Sequence, residues 1–457
     1  MRKNTKKKQM RAGAYILSAA LAMGALSGCA GTNEKDTINK ESQTVEKTQD
    51  TTIVKDQEET MTKDVEETKP DVEETKPDVE VTASTEDVDF AFTFLKMEDK
   101  GNVIYSPLSI RYALNMLKEG ANGNTKSQIE NLIGTDAPGK YDNIENVLSL
   151  ANAVYIRDSF SDYVKDDYIG ELSDKYNAEV IYDAFENANN INGWIENKTF
   201  DQIKNMLDNK EVSDPGNVMM LVNALAMDME WEYQFDERDT NSGKFYLEDG
   251  TQMDAAVMSK HAARSDGTAY YTDDSVTALS LDLKKYGDNQ LQFLAIMPEE
   301  KLSEYTQNFN AETLNNITDN LTKASDTKDG VNVAIPRFSF DYKLELEEDL
   351  NKLGITDAFD KKLADFTGIT DKKPFYVNKA LHKAKIDFSE KGIKAAAATV
   401  IMMTFGAALE EEKPLDVIIN KPFMCVIRDK KTGEIWFAGT VYEPDSWEDV
   451  KEDYIYE

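Results

Sequence analysis

The distribution of aromatic residues limits what this chain can fold into more than any other feature. The 457 residues include 19 Phe, 20 Tyr and 4 Trp, yet residues 30–86 contain none of them and repeat the sequence VEETKPD at 65–71 and 72–78. Such a stretch buries too little apolar surface to offset the entropy of ordering it. We therefore predict a flexible acidic stalk over residues 29–86, with a charged helical arm over part of it as the alternative, and one large folded domain over residues 87–457.

The N-terminus has the pattern of an export signal. Six cations occur in the first eleven residues, an apolar run follows over residues 12–26, and the run ends in the sequence LSGC at Cys29. The run is too short to span a bilayer, which predicts a signal peptide over residues 1–28. The ending resembles a bacterial lipoprotein box, which implies lipidation of Cys29 and a membrane anchor on the extracellular face of the cell envelope. An ordinary secretory signal with a chance cysteine is the alternative, and the choice between inner and outer membrane stays open.

Charge and residue counts exclude several classes of function. The net charge is −33, and nucleic-acid binding requires clustered cations, so we expect no nucleic-acid partner. Two cysteines, one of them in the export signal, leave no internal disulfide in the folded part. Two histidines without metal-ligand spacing predict no metal site, and we expect no cofactor and a monomer. No nucleophile-elbow or phosphate-binding loop occurs; a Ser106–His382 dyad is the one enzymatic alternative, and we predict that the chain is not an enzyme.

Hydrophobic periodicity in the folded part predicts a mixed α+β fold with large sheets. Helices are predicted near residues 90–97, at 109–119 and at 191–207. Predicted strands cover residues 147–156, 219–227, 275–283, 291–297, 331–340, 381–388, 417–427 and 435–441. The segment between Phe388 and Val417 fits neither class, and a loop of almost thirty residues inside a compact domain is usually functional. An Ala-rich helix over residues 394–405 is the alternative for this segment.

Sequence motifs along the whole folded part resemble the serpin family of protease inhibitors. The stretch EKGIKAAAAT at 390–399 is similar to the hinge of the reactive-centre loop in inhibitory members. Further motifs follow in family order: NVIYSPLSI at 102–110, GANGNT at 120–125, NGWIENKT at 192–199, LVNA at 221–224, IPRF at 335–338, LGITDAF at 353–359, HKA at 382–384 and NKPF at 420–423. The resemblance implies a serpin fold with three β-sheets, about eight helices and an exposed reactive-centre loop. The family's usual helix between Leu132 and Ala153 is missing or much shortened here, which argues against activation by heparin-type glycans.

The resemblance also implies a function, the suicide inhibition of secreted serine proteases. After cleavage, the N-terminal half of the loop would insert as a strand into the central sheet. In a strand over residues 393–404, one face carries no charge and Lys394 falls on the other, which favours insertion. Ile393 is the weak point, since inhibitory relatives usually carry a small residue there. A non-inhibitory surface binding protein and an inhibitor of papain-like cysteine proteases are the alternatives.

Site residues are carried over from the family motifs. The expected bait bond is Gly406–Ala407, with Phe405–Gly406 as the alternative, which suits elastase-, subtilisin- or chymotrypsin-like proteases and not trypsin-like ones. The hinge residues are Glu390, Gly392, Ile393, Ala395, Ala396, Ala397, Ala398 and Thr399. The residues under the point where the sheet opens, or at its top, are Ser106, Ser109, Asn223, Trp231, Arg337 and His382. Among these, Glu390 and Arg337 are expected to form a salt bridge near Trp231.

Overall fold

The computed structural model describes residues 83–263, 267–287, 289–393 and 414–454. The chain divides into two units, residues 1–75 and 76–457, and every described residue lies in the second. The predicted signal peptide and nearly all of the predicted stalk, with Cys29, lie outside the described residues. Within the described part, none of the helices combines the length and apolar character that crossing a membrane requires.

Ten α-helices occur among the described residues, where the sequence predicts about eight. Two begin at capping serines: Ser84 forms a capping box with Asp87, and Ser106 accepts a hydrogen bond from the backbone of Ser109. The helices are α1 Thr85–Thr93, α2 Pro107–Gly120, α3 Gly123–Ile133, α4 Asp166–Tyr176, α5 Asn189–Lys198, α6 Asn209–Ser213, α7 Leu302–Asn308, α8 Ala311–Asp319, α9 Leu346–Lys352 and α10 Trp447–Val450.

Eighteen strands occur in the same residues. They are β1 Val103–Tyr105, β2 Leu148–Arg157, β3 Glu179–Asp183, β4 Met219–Met227, β5 Met229–Glu230, β6 Thr240–Tyr246, β7 Gln252–Ala262, β8 Thr268–Thr272, β9 Val276–Asp282, β10 Leu291–Pro298, β11 Thr322–Lys323, β12 Val331–Pro336, β13 Phe338–Glu345, β14 Leu381–Phe388, β15 Gly392–Ile393, β16 Leu415–Ile418, β17 Phe423–Asp429 and β18 Ile435–Val441. The fold class is therefore α+β, as the sequence predicts.

The strands form four hydrogen-bonded sheets. Their orders are β1-β18-β17-β10-β9-β8-β11, β16-β12-β7-β6, β13-β14-β15-β5 and β3-β2-β4. Only Asp228 separates β4 from β5, so the last two sheets share one continuous strand path. These two sheets are the halves of one central sheet, which β15 joins at one end and which is open between β4 and β14 elsewhere. Counted in this way, the fold has the three sheets that the sequence predicts.

The parted central sheet lies over the main apolar core. Helix α2 contacts β4 in one half of the sheet and β18 in the seven-stranded sheet. Cys425 in β17 is fully buried, and burial raises the pKa of its thiol to about 12, so it behaves as an inert core residue. Between α3 and β2 the described chain contains no helix, which confirms the predicted loss of that element.

Three predicted elements need correction. The helix predicted at 191–207 ends at Lys198, because Phe200 and Asp201 take positive φ angles of 50° and 61°. The strand predicted at 331–340 is two strands, since Arg337 turns its backbone N–H to Ala256 O at 2.8 Å. The strand predicted at 417–427 is also divided, at Pro422, which has no N–H for a strand ladder.

Candidate functional site

The predicted hinge begins as a short strand inserted into the central sheet. β14 runs into a turn over Ser389–Lys391, and the chain returns antiparallel as β15, with Ile393 opposite Phe388. On its other side β15 pairs antiparallel with β5, where Gly392 lies opposite Glu230 and Ile393 opposite Met229. Two of the predicted hinge residues, Gly392 and Ile393, thus lie in the sheet.

Trp231 and Phe235 hold the hinge turn through hydrogen bonds. The indole of Trp231 donates to Ser389 O at 2.8 Å, and its backbone N–H donates to Lys391 O at 2.9 Å. The backbone N–H of Phe235 donates to Glu390 O at 2.9 Å. Every carbonyl of the turn therefore has a donor, which meets the requirement for a buried backbone. Sequence motifs placed Trp231 at the top of the sheet, and in the structure its indole contacts the hinge turn there.

Gly392 is placed where the backbone of β5 leaves no room for a side chain. A Cβ atom at this position would lie 2.1 Å from Met229 O and 2.7 Å from the Cα of Glu230. Backbone atoms cannot yield as a flexible side chain can, so glycine is required for the close pairing of β15 with β5.

Ile393 is 4% exposed and points into the seam between the two halves of the sheet. Beside it is a small cavity of about 10 Å³. Its lining is mostly apolar and includes Leu225 and Met227 of β4, Ile386 of β14, Ile427 and Phe437, with Lys385 as its only charged residue. The seam thus accommodates a β-branched side chain where β15 ends, and a longer strand at this place would require β4 and β14 to separate.

Glu390 and Arg337 are connected through a tyrosine and not as the expected direct salt bridge. The hydroxyl of Tyr454 donates to Glu390 Oε1 at 2.6 Å, and Arg337 Nη1 donates to the same hydroxyl. Thr240 Oγ1 also donates to Glu390 Oε1, at 2.7 Å. The ion pair of Arg337 among the described residues is with Asp445, at 4.0 Å. The C-terminal segment places Tyr454 between the two charged groups, which sequence motifs could not indicate.

The expected polar cluster below the seam is partly assembled. The N–H of Ser106 donates to His382 Nε2 at 2.9 Å, and the Ser106 hydroxyl accepts from the N–H of Ser109 at 3.0 Å. Asn223 instead donates to Asn152 Oδ1 at 2.7 Å, and no hydrogen bond within the described residues joins it to His382. The Asn223 Oδ1 atom is buried without a hydrogen-bond partner in that part of the chain.

The buried His382 predicts a measurable pH dependence of stability. Burial lowers its pKa from 6.5 to about 4, so the imidazole is neutral at pH 7, with Nε2 free to accept the Ser106 N–H. Below pH 6.5 the unfolded chain binds a proton here and the folded chain does not, so stability falls as the pH decreases towards 4. This pKa shift makes the free energy of unfolding about 3 kcal/mol lower at pH 4 than at pH 7. Urea unfolding of His382→Gln should lack this contribution to the pH dependence. Equal pH dependence of the two proteins between pH 7 and 4 would contradict this prediction.

Several predicted site residues lie outside the described part of the chain. They are Ala395, Ala396, Ala397, Ala398 and Thr399 of the hinge and Phe405, Gly406 and Ala407 of the bait region. Their roles stay predictions. Conversely, sequence reasoning missed Tyr454, Thr240 and Asn152. The only signal for Tyr454 was the presence of three aromatic residues, Trp447, Tyr454 and Tyr456, in an otherwise acidic C-terminal stretch.

Comparison with known proteins agrees with this geometry. The family profile described as "Serpin (serine protease inhibitor)" matches residues 86–444. Human alpha-1-antichymotrypsin is 29% identical over 387 residues, which cover 79% of this chain and 88% of that protein. An uncharacterized serpin-like protein of Methanosarcina mazei is 29% identical over 367 residues, covering 76% of this chain and 82% of its own length. The native structure of the thermophilic serpin tengpin superposes with a TM-score of 0.67 at 27% identity, covering 79% of this chain and 93% of tengpin.

Proposed function

The chain belongs to the serpin family, whose members are protease inhibitors rather than enzymes, and from that premise we propose that it traps extracellular serine proteases as a suicide inhibitor. In this proposal the protease serine attacks the carbonyl of Gly406 and forms an ester, and the amine of Ala407 leaves. The freed N-terminal half of the loop then inserts into the central sheet before water hydrolyses the ester.

The register of β15 carries the proposal. Because Ile393 pairs with Phe388 in β14 and with Met229 in β5, the positions opposite each later residue follow from antiparallel pairing. Continued in this register, Ala395 would lie between Ile386 and Met227. Ala397 would lie between Ala384 and Leu225, and Thr399 between His382 and Asn223.

This register matches each incoming side chain to its neighbours. The β14 residues that would flank Ile393, Ala395, Ala397 and Thr399 are all buried: they are Phe388, Ile386, Ala384 and His382. The uncharged face of the loop would therefore enter the core. Lys394 would fall on the opposite face beside Asp387 and Asp228, where a cation is favourable. A register shifted by one residue would reverse every one of these placements.

Thr399 would supply a partner that the polar cluster lacks. In the same register its hydroxyl would lie next to Asn223, whose Oδ1 is buried and unpartnered among the described residues. A new hydrogen bond there removes the cost of a buried unsatisfied acceptor, about 1–3 kcal/mol. Insertion would then be favoured by polar pairing as well as by added strand hydrogen bonds.

The bait residues support targets with small or aromatic specificity. Gly406–Ala407 would fit elastase-like or subtilisin-like proteases, and Phe405–Gly406 would fit chymotrypsin-like ones. The name of alpha-1-antichymotrypsin supports including chymotrypsin among the candidates. The lipoprotein-like pattern at Cys29 supports an inhibitor anchored by lipid outside the cell.

Mixing the folded domain with elastase, subtilisin, chymotrypsin or papain tests the proposal. We expect a serine-protease adduct that survives boiling in detergent, and mass spectrometry of the released fragment then identifies the cleaved bond. Papain forming the adduct instead would support cysteine-protease inhibition. Clean cleavage without an adduct, and without a gain in heat stability, would defeat the proposal in favour of a non-inhibitory binding protein.

An Ala397→Pro variant tests whether insertion produces the trap. Proline removes one strand hydrogen-bond donor and costs about 3 kcal/mol in regular structure, roughly a hundredfold in the insertion equilibrium. We expect the variant to be cleaved at the normal rate with little adduct, as measured by gel electrophoresis. Ala408→Ser is the control, because residue 408 lies outside both the inserting strand and the bait bond, and this variant should form the adduct normally. Ala407→Pro is unsuitable as a control because it alters the bait bond. Full inhibition by Ala397→Pro would contradict the insertion mechanism.

A further inference from the structure

The described chain continues past the region that matches the serpin profile. The match ends at residue 444, whereas residues 445–454, here called the C-terminal clasp, form α10 and a 3₁₀ turn, Lys451–Tyr454. The profile match therefore does not account for the contacts that this segment makes with the hinge turn.

The clasp is fixed at its start to strands of two sheets. The N–H of Asp445 donates to Arg337 O at 2.9 Å, and Ala256 N–H donates to Asp445 O at 3.0 Å. The Asp445 carboxylate accepts from the N–H of Ser339 at 3.0 Å, and Ser446 forms a bridge with Ala255. These bonds join the clasp to β7 and to the start of β13.

The far end of the clasp reaches the hinge turn. The rings of Tyr454 and Trp447 stack at 5.6 Å, and the guanidinium of Arg337 lies 5.7 Å from the Tyr454 ring centroid. Burial and the bond to Glu390 raise the pKa of Tyr454, so its hydroxyl keeps the proton that it donates. The acceptor, Glu390 Oε1, belongs to a residue only 4% exposed at the tip of the β14–β15 turn.

We propose that Tyr454 is a positioning residue for loop insertion, acting through Glu390 to hold the β14–β15 turn in the inserted register. The bond exists only while the turn is formed. Its donor thus stabilises the paired hinge relative to a hinge withdrawn from the sheet, and the loop starts its insertion already in register. Thr240, at the start of β6, donates to the same oxygen and shares this task. The inference rests on the proposed inhibition for its effect on trapping, but not for its effect on the hinge.

Tyr454→Phe removes the hydroxyl and keeps the stacked ring. Hydrogen exchange of the peptide containing residues 389–393 is measured on the uncleaved protein. The stoichiometry of inhibition and the rate of loop cleavage are measured while the protein reacts with the protease. Loss of a charge-assisted hydrogen bond should shift the equilibrium between the paired and the withdrawn hinge by about tenfold towards the withdrawn hinge. We therefore expect hinge exchange and the stoichiometry of inhibition each to rise by about tenfold, with the cleavage rate unchanged.

Tyr176→Phe is the matched control, because the Tyr176 hydroxyl donates to Glu119 Oε1 at 2.9 Å in a half-buried site at the end of α2. It should lower thermal stability by a similar amount while leaving hinge exchange and stoichiometry unchanged. In a double-mutant cycle, Tyr454→Phe should have little further effect in a Glu390→Ala background, which offers the hydroxyl no side-chain acceptor.

Hinge exchange unchanged in Tyr454→Phe would overturn the inference, as would raised exchange with unchanged stoichiometry. Equal effects of Tyr176→Phe and Tyr454→Phe on stoichiometry would also overturn it, since general destabilisation would then be the cause. If the wild-type protein forms no adduct with any protease, the proposed inhibition fails. Hinge exchange then still decides whether Tyr454 holds the turn.

Discussion

An Ile393→Arg variant is expected to lose inhibition and to be consumed as a substrate. Ile393 enters an apolar seam lined by Leu225 and Met227, and the only charged residue that lines the cavity beside it, Lys385, has the same sign as arginine. Placing an unpaired charge in such surroundings costs several kcal/mol. The arginine therefore destabilises the pairing of residue 393 in the sheet, both before cleavage and after insertion.

The size of the effect follows from the competition between insertion and hydrolysis of the ester. If the charge raises the insertion barrier by about 3 kcal/mol, insertion slows roughly a hundredfold, because each 1.4 kcal/mol is a factor of ten. Hydrolysis is unaffected, so almost every cleaved molecule is released. Gel analysis of equimolar mixtures should show cleaved inhibitor and free protease in place of the adduct.

Ile393→Thr is the control for this experiment. It keeps the β-branched shape without a charge, and its hydroxyl can remain near the rim of the seam. The variant should inhibit at least as well as the wild type, since the seam then admits a smaller side chain. Undiminished adduct formation by Ile393→Arg would show that trapping does not need an uncharged side chain at this buried position, and inhibition by insertion at this seam would be excluded.

Sequence reasoning succeeded where the local pattern and the buried face agree. The predicted bounds of β4, β14 and β18 match the structure, because continuous or alternating apolar residues end at clear breaks in each. It failed where a distant partner decides the backbone. The segment predicted as one strand, residues 331–340, is divided at Arg337 because the N–H of this residue bonds to Ala256 O, and the periodicity of the segment does not reveal this.

The candidate site divides in the same way. Family motifs identified Trp231, Gly392 and His382, and each has a defined role in the contacts of the described chain. Tyr454 lies outside those motifs, in a segment beyond the family match, and its partner Glu390 is 64 residues away. A contact of this kind depends on how the clasp folds over the sheet, which neither composition nor spacing specifies.

Gly392→Ala is expected to withdraw the hinge from the sheet and to abolish most trapping. The added methyl group would meet Met229 O at 2.1 Å, and this backbone atom is held within β5. Relief requires β15 to move away from β5, which breaks its pairing and takes Ile393 out of the seam. Because insertion would then begin without the paired β15, the stoichiometry of inhibition should rise by about tenfold or more, as expected for the loss of one or two net hydrogen bonds.

Gly193→Ala separates this steric effect from a general effect of replacing glycine. A Cβ at Gly193 meets nothing within 4 Å, and the residue lies inside α5, where alanine is favoured by up to about 1 kcal/mol. That variant should keep normal inhibition with equal or higher thermal stability. Hydrogen exchange adds the structural readout: exchange in residues 389–393 should rise in Gly392→Ala alone. If exchange stays low, the hinge keeps its pairing in spite of the added methyl group, and the expected clash with Met229 O is contradicted. If exchange rises while trapping stays complete, then β15 pairing is not needed before cleavage, and insertion must start only after the protease has cut the loop.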